Sequence, residues 1–533
     1  MSETDFNISE LFELTKDYSD AFNALYRLHT FDEGEIEKIY QNIKNKIIET
    51  KIISPSKFLE SISHALRHNN RYLKSYFRIF EKLYEDYHPD KVDCISFSGG
   101  FDKLIYDKYK FSYKHPDTHK DFSIEFLNEN TIYRSILDDD IKSFIGFTER
   151  SRFDEKQIID NSLFPREYHK IGWLELCCYY DSVNCFKFLR TKFNSKITKT
   201  CLGFSFLGGN QEIIIECLKY EKPDTDCSEY VIIAHNNDFI NFLITECNVT
   251  IYLSKCPDYN NVDACLIYFD IKKSFKENLT FICEFQIPSL CKYFILHGAD
   301  VNIEKSNKTA AYYAAKFNWK EILELLISHG LDINQHHALF AAAIYNHVEM
   351  AELLLANGAN INKIGPYNYT PILEAVEHNS NEMIDFLYSH GADINVYDLG
   401  GSGVLYFAAE NKNVEKAEFF ISHGLDLNKD PSKCIKPLFL AVRNNLPRIV
   451  ELLISHGVNI NAEDKKGKVP LHYAIKNDSV SIARLLISHG VDFNAITYKN
   501  QTFLQYAVEH HGYEVPKLLI SLGSDIHQID SDG

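Results

Sequence analysis

Six histidines, His297, His329, His390, His423, His456 and His489, each stand immediately before a glycine. A ladder of imidazoles at regular spacing could be a chain of metal ligands. Zinc needs its ligands to converge at about 2.0–2.1 Å, whereas stacked helices stand about 8–10 Å apart. Parallel histidines one helix apart therefore do not share an ion. The chemistry left to them is that of a helix C-terminus, where an imidazole bonds a free carbonyl and meets the negative end of the dipole. Asp138, Asp139 and Asp140 form an acidic triplet, but it lacks the alternation and glycine of a calcium loop, and it reads as a solvated turn between helices. Gly99-Gly100 and Gly208-Gly209 are isolated pairs, not phosphate-binding loops. Gly-x-Ser-x-Gly and His-Glu-x-x-His do not occur. The 13 cysteines contain no Cys-x-x-Cys pair, so they read as reduced thiols acting as small core residues. The sequence thus offers no catalytic, cofactor-binding or metal-binding residues, and it predicts a protein that is not an enzyme and needs no cofactor.

The elements behind these residues are repeats. The glycines at 298, 330, 358, 391, 424, 457, 490 and 523 lie 32, 28, 33, 33, 33, 33 and 33 residues apart. The stretch VPLHYAIKNDSVSIARLLISHG, from Val469 to Gly490, shows how one unit is built. Pro470 occupies a first helical position, where its missing N–H costs nothing. Leu471, Ala474 and Ile475 share one helical face. Asn477-Asp478-Ser479 is turn chemistry. Ile482, Leu485 and Leu486 form a second apolar stripe, and Gly490 supplies a left-handed stop. Two helices this short are not stable alone, so neighbouring units must cover their stripes.

Between units a polar tip is flanked by turn residues. The tip position is held by Asn307, Asn368, Gly401, Gly467 and Asn500, the residue types that best tolerate positive φ, and once by Cys434, which does not fit. The unit between Gly330 and Gly358 is five residues short, and the loss falls between Asn334 and His337, where the hairpin belongs. A 28-residue spacing is then the mark of a unit without a hairpin. That spacing recurs upstream: Leu174, Leu202 and Tyr230 are equivalent, 28 residues apart each time. There Cys177 and Cys178 take the place of paired alanines in the first helix. Residues 131–149 read as a more degenerate unit, 8–87 as amphipathic helices broken near Asp32, Ser54-Pro55 and Asn69-Asn70, and 88–122 as turn-rich.

The motifs TPILEAV from Thr370, KPLFLAV from Lys436 and VPLHYAI from Val469, each followed by a helix ending in His-Gly or Leu-Gly, resemble the ankyrin repeat. The resemblance implies L-shaped units stacked into a curved array, with hairpins and first helices forming a concave binding face. LELCCYYDSVNCFKFLRTKFNS and GFTERSRFDEKQ resemble the helical region of unknown function that precedes ankyrin arrays in certain protist families. The expected fold is all-α dominated: an N-terminal helical region over 1–125, degenerate hairpin-less helical repeats over 126–276, and an ankyrin solenoid of helix-turn-helix plus β-hairpin units over 277–533. The units are expected near 277–306, 307–334, 335–367, 368–400, 401–433, 434–466, 467–499 and 500–533.

That resemblance implies a protein-protein interaction scaffold. It places partner contacts at the tips and at the two residues after the paired small residues of each first helix. These are Glu377 and His378, Glu410 and Asn411, Arg443 and Asn444, Lys476 and Asn477, and Glu509 and His510. On the tips, Tyr367, Tyr369 and Tyr498 are aromatic anchors, and Lys465 and Lys466 form a basic finger. The alternative is an adaptor whose N-terminal helices recruit an enzyme, for instance in ubiquitin ligation, to a target held by the array. A net charge of −18 over 533 residues repels a phosphate backbone, so other proteins rather than nucleic acid are the expected partners. The polar N-terminus and the absence of a long apolar run predict an intracellular, cytoplasmic protein without a membrane span. Neither the oligomeric state nor the partner is written in the sequence. The chain stops at a hairpin glycine, Gly533, which leaves open whether the last pair caps the array or the sequence is a fragment.

Overall fold

The computed structural model describes residues 6–89, 99–110, 129–150, 153–160, 170–334, 337–425, 431–495 and 501–527. It divides into two compact units, Met1–Ile303 and Glu304–Gly533. Four helices open the N-terminal unit: α1 (Ile8–Tyr26), α2 (Glu33–Ile43), α3 (Pro55–His68) and α4 (Leu73–Tyr87). Their starts follow from side-chain caps. Asn7 accepts from the amides of Ser9 and Glu10, Asp32 from Glu35, and Ser54 from Lys57, with Pro55 in the first turn. A fifth helix, α5 (Gly99–Tyr109), lies in the segment that the sequence presents as turn-rich. Its core-facing side rests on Phe101 and Ile105, both buried. Phe101 meets Phe80 of α4 edge-on at 5.7 Å. Two apolar residues behind a Gly-Gly start are too few to show a helical period.

The rest of the chain is a succession of antiparallel helix pairs, and one backbone feature registers them all. After every first helix a single residue is left-handed: Asp139, Asp181, Gly209, His235, Asn260, Gln286, Asn318, Asn346, Asn379, Lys412, Asn445, Asp478 and His511. These mark thirteen pairs among the described residues, six in the N-terminal unit and seven in the C-terminal unit. From Asp181 to Gln286 the marks fall 28, 26, 25 and 26 residues apart, and from Asn346 onward 33 apart. In six of the pairs the marking side chain reaches the outer helix of the next pair. Asp139 accepts from the amides of Asn184 and Cys185, and Asn346 from that of Met383. Asp478 accepts from Tyr513, Glu514 and Val515. Asn379 and Asn445 accept from the cap residues Asn413 and Ser479, and Asp181 interacts with Asn210. The bonds to Asp139, Asn346 and Asp478 satisfy orphan N–H groups of a helix start, those to Asn379 and Asn445 hold the side chain of a cap residue, and all tie one pair to the next. The acidic triplet is thereby explained residue by residue: Asp139 caps the following pair, Asp140 caps its own outer helix, and Asp138 pairs with Arg134 at 2.5 Å.

Small residues let the first helices stack closely. Ala314, Ala315, Ala375, Ala408, Ala409, Ala441, Ala474 and Ala507 have no exposed surface, and neither do Cys177 and Cys178 in the N-terminal unit. All the described cysteines are free thiols. Burial pushes the Cys177 and Cys178 thiols well above their ordinary range.

The fingers between pairs are tight turns more than hairpins. The tip residues Asn307, Asn368, Gly401 and Gly467 have φ of 61°, 67°, 75° and 69°, and Asn500 lies outside the described residues. Among the described residues of the fingers, strand pairing is limited to single bridges, Lys305 with Lys308 and Tyr397 with Gly403. In the short unit the chain passes from Gly330 to a helix starting at Ala338, which leaves no length for a finger. Cys434 falls inside a continuous helix, Pro431–Arg443. The first helix there extends back over the finger position, so no left-handed tip is required. One departure runs the other way. Strands β1 (Ile159–Asp160) and β2 (Lys170–Ile171) pair antiparallel, Ile159 opposite Ile171, within the stretch expected to lack hairpins.

Candidate protein-binding surface

The two residues before each left-handed mark stand at the end of the first helix. In the N-terminal unit several of these positions, from Tyr179-Tyr180 to Phe285, meet the protein's own α1, α3 and the turn after α3. Tyr179 donates to the Arg67 carbonyl at 3.3 Å, and Tyr180 donates to Asn70 Oδ1 at 2.8 Å. Arg27 donates to the carbonyls of Ala234 and His235, and Arg71 to that of Tyr180. These guanidiniums satisfy the unpaired C-terminal carbonyls of two first helices and meet the negative ends of their dipoles. The Tyr259 ring lies edge-on to Tyr26 at 6.4 Å and to His68 at 5.6 Å. Phe285 meets Tyr18 at 6.3 Å.

The left-handed residues join this contact. Tyr18 donates to Asn260 Oδ1 at 3.1 Å while Asn260 Nδ2 donates to Ser61 at 3.0 Å. His235 lies 2.7 Å from the Asn23 side-chain amide and 2.9 Å from the Tyr259 carbonyl, stacked on Tyr26. Burial drives its imidazole down to about 3, so it is a neutral structural group at ordinary pH. A cleft of about 360 Å³ remains at this seam, lined in part by Arg27, His68, Arg71, Tyr179 and Asp181. Burial raises the Asp181 carboxyl to about 6.

The same seam holds the last pair of the compact unit that reaches Ile303. The Asn7 amide donates to Tyr293 Oη at 3.0 Å, and Phe6 stacks on Phe275 at 4.6 Å. The sixth pair is thus clasped by the start of α1. None of these residues stood out in the sequence. The available signal was the aromatic content of the positions before the marks, Tyr179-Tyr180, Tyr259 and Phe285.

In the C-terminal unit the equivalent positions divide into two kinds. Glu410, Arg443, Lys476 and Glu509 are exposed and Glu377 is half-buried. Their neighbours Asn411, Asn444 and Asn477 are engaged within the array. Asn411 Nδ2 donates to the carbonyls of Val376 and Glu377 at 2.7 and 2.8 Å. Asn444 donates to Ala409 at 3.2 Å. Asn477 donates to Val442 and Arg443 at 3.1 and 2.9 Å. These amides close first-helix C-termini, as Arg27 and Arg71 do in the N-terminal unit. His510 likewise bonds the Tyr506 carbonyl at 3.0 Å.

His378 is exposed and stands 3.6 Å from Glu374. Glu374, Glu377 and His378 bring one potential metal-ligand atom each within 4.8 Å of one another. Burial, opposed by His378 and reinforced by Glu377, raises Glu374 to about 7. Tyr369 is half-buried against Phe407 at 5.9 Å; burial and a hydrogen bond to Glu377 push its phenol up.

At the tips, Tyr367 is 75% exposed and left-handed at φ 54°. Its carbonyl accepts from the Leu399 amide at 2.8 Å, so it is joined to the next finger, where Leu399 is 76% exposed. Lys465 and Lys466 are exposed on the turn closed by Asp464, which accepts from the amides of Lys466 and Lys468. Tyr498 lies outside the described residues. The histidine ladder does helix-terminal work. Nδ1 of His329, His390, His423, His456 and His489 lies 2.7 to 2.9 Å from the carbonyl four residues earlier.

No described helix is long and apolar enough to cross a membrane. Profiles described as ankyrin repeats (3 copies) match residues 279–365, 330–398, 357–431 and 438–530. A profile described as a domain of unknown function, DUF3447, matches 193–268, inside the short-period pairs. No curated protein matches the chain. Among solved structures, the ankyrin repeat domain of human ASB11 is similar at 20% identity over 39% of this chain and 99% of that one, with a TM-score of 0.32. The protein is therefore mostly helical, and from about residue 279 to 530 it is an array of ankyrin repeats, preceded by a segment of the DUF3447 type.

Proposed function

We propose that the first-helix ends and finger tips of the C-terminal unit form a binding surface for another protein. The observation that supports this most is internal. The same positions of the N-terminal unit already hold polypeptide, the helices α1 and α3, through Tyr179, Tyr180, Tyr259 and Asn260. The exposed Glu410, Arg443, Lys476 and Glu509, the half-buried Glu377 and the tips Tyr367, Lys465 and Lys466 are the contact residues of this reading. Asn411, Asn444 and Asn477 serve it by fixing the stack. The protein is then a non-catalytic interaction scaffold inside the cell, organised as a helical region over 1–125, short repeats over 126–276 and a fingered array over 277–533. A net charge of −18 favours protein over nucleic-acid partners. The adaptor reading, in which the N-terminal helices recruit an enzyme, has less support because α1 and α3 spend their faces on the repeats. The test is quantitative co-purification with the full chain and with its E377A/E410A/R443A/K476A variant. Loss of the same proteins from the variant, with its helical content intact, is the expected result. An unchanged set would remove this surface from the interaction.

A further inference from the structure

From Glu377 to Lys476 the first-helix ends of the C-terminal unit are ordered by charge. In chain order they read Glu377, Glu410, Arg443 and Lys476. The ion pairs described in this unit lie elsewhere: His378 with Glu374, Lys416 with Asp385, Arg448 with Glu418 and Glu451, and Lys517 with Glu514. The flanking positions differ. Lys316 lies 5.5 Å from the centre of the Tyr345 ring, and beyond Lys476 the exposed Glu509, which accepts from Gln501 at 3.1 Å, is acidic again.

The fingers follow the same order. Beside the acidic half, Ile364, Tyr367 and Leu399 are 65%, 75% and 76% exposed. Beside the basic half, among the described residues, Lys465 and Lys466 are exposed at the tip and Glu463 before it. Adjacent first helices stand about 8–10 Å apart, so the centres of the two halves are about 20 Å apart. That exceeds the Debye length of about 8 Å at physiological salt, so the outer charges, Glu377 and Lys476, are screened from each other.

We propose that this surface takes one α-helical segment of bipolar charge, with apolar and basic residues at one end and acidic residues at the other. The proposal rests on the reading of these positions as a protein-binding surface. A helix is the occupant because helices cover the equivalent positions of the N-terminal unit. Four positions span about 30 Å, the length of roughly 20 helical residues. Such a segment is close to neutral overall, so the net charge of −18 does not select it by bulk attraction. The layout selects it.

The probes are two labelled helical peptides of about 20 residues with identical composition and no net charge. One gathers Leu and Lys in one half and Glu in the other; its companion alternates the charges. Fluorescence anisotropy with the full chain should show the divided peptide binding about tenfold tighter at low salt, with the preference fading at high salt. The E377Q/E410Q/R443Q/K476Q variant should lose the preference. Equal binding of both peptides by the unaltered protein, or a preference that survives neutralisation, would overturn the charge layout. If that equal binding is weakened by Tyr367→Ala, the broader surface reading stands without it. Binding of neither peptide rules out the bipolar helix, while the co-purification comparison decides the broader reading separately.

Discussion

The two units use one set of positions in opposite ways. In the N-terminal unit the first helices end in Tyr179-Tyr180, Ala234 and Tyr259, and the chain's own α1 and α3 close over them. In the C-terminal unit they end in Glu377, Glu410, Arg443 and Lys476, and the amides of Asn411, Asn444 and Asn477 satisfy the carbonyls instead. The lesson concerns the helix C-terminus. Every first helix leaves carbonyls unpaired, and whatever donor satisfies them decides what the surface is for. Where the donors are arginines from a separate helical layer, the surface becomes core. Where they are asparagines of the next repeat, the surface stays open and its remaining side chains are free to be charged.

The largest test of this contrast is Phe22→Ala. Phe22 is fully buried in α1, and its loss should cost about 3–5 kcal/mol in the N-terminal unit while leaving the C-terminal unit unmoved. Trp173 lies in one unit and Trp319 in the other, so fluorotryptophan resonances followed through a urea titration report each separately. Equal destabilisation of both would break the comparison.

Acid should act next. His235 is held at about 3 in the folded state by burial, below its ordinary value near 6.5. Its contribution is complete above pH 6.5 and is lost as pH falls toward 3, on the order of 1.4 kcal/mol per pH unit. Asp181, raised to about 6, opposes this between about pH 6 and 4. His235→Gln should remove its share of the acid dependence of the N-terminal unit, leaving the like-signed share of His68, which burial also lowers to about 3. Glu374 in the C-terminal unit has the reverse sign: raised to about 7, it favours the folded state below its unfolded value and loses that contribution as pH rises through 7. Glu374→Gln should therefore stabilise the C-terminal unit at pH 8 and change little at pH 4.5.

Smaller effects discriminate within the C-terminal unit. Asn444→Ala removes the bond to Ala409 and should cost about 0.5–1.5 kcal/mol, seen as a shifted denaturation midpoint. Arg443→Ala and Tyr367→Ala should stay within about 0.5 kcal/mol of the unaltered protein yet weaken retention of partners. Stability loss for Tyr367→Ala as large as for Asn444→Ala would make the tip a packing residue.

Much of this was legible from residue order. The glycine register, the capping residues Asp32 and Ser54, and the left-handed tips Asn307, Asn368, Gly401 and Gly467 follow from local sequence, because each depends on a few adjacent residues. The thirteen left-handed marks were less legible. Asp, Gly, His, Asn, Gln and Lys all occupy that position, since a single αL residue is tolerated when neighbouring pairs hold it. The asparagines 411, 444 and 477 read from the sequence as contact residues; their amides bond carbonyls within the array, and their recurrence at one register position is the signal for that bond. The cover over the N-terminal unit was invisible for another reason. Its bonds join residues 109 to 286 positions apart, and no local pattern encodes a pairing at that range.

The difference in cover also makes the two units different springs. In the C-terminal unit each helix pair leans on its neighbours, so a load along the chain can peel pairs away one at a time. Each 33-residue interval would release about 12 nm of extended chain. The helices α1 and α3 staple several short pairs of the N-terminal unit together through Tyr180, His235 and Asn260. Its shorter pairs should therefore hold as a block and yield in one large step, which makes the N-terminal unit the stiff anchor and the fingered array the compliant arm.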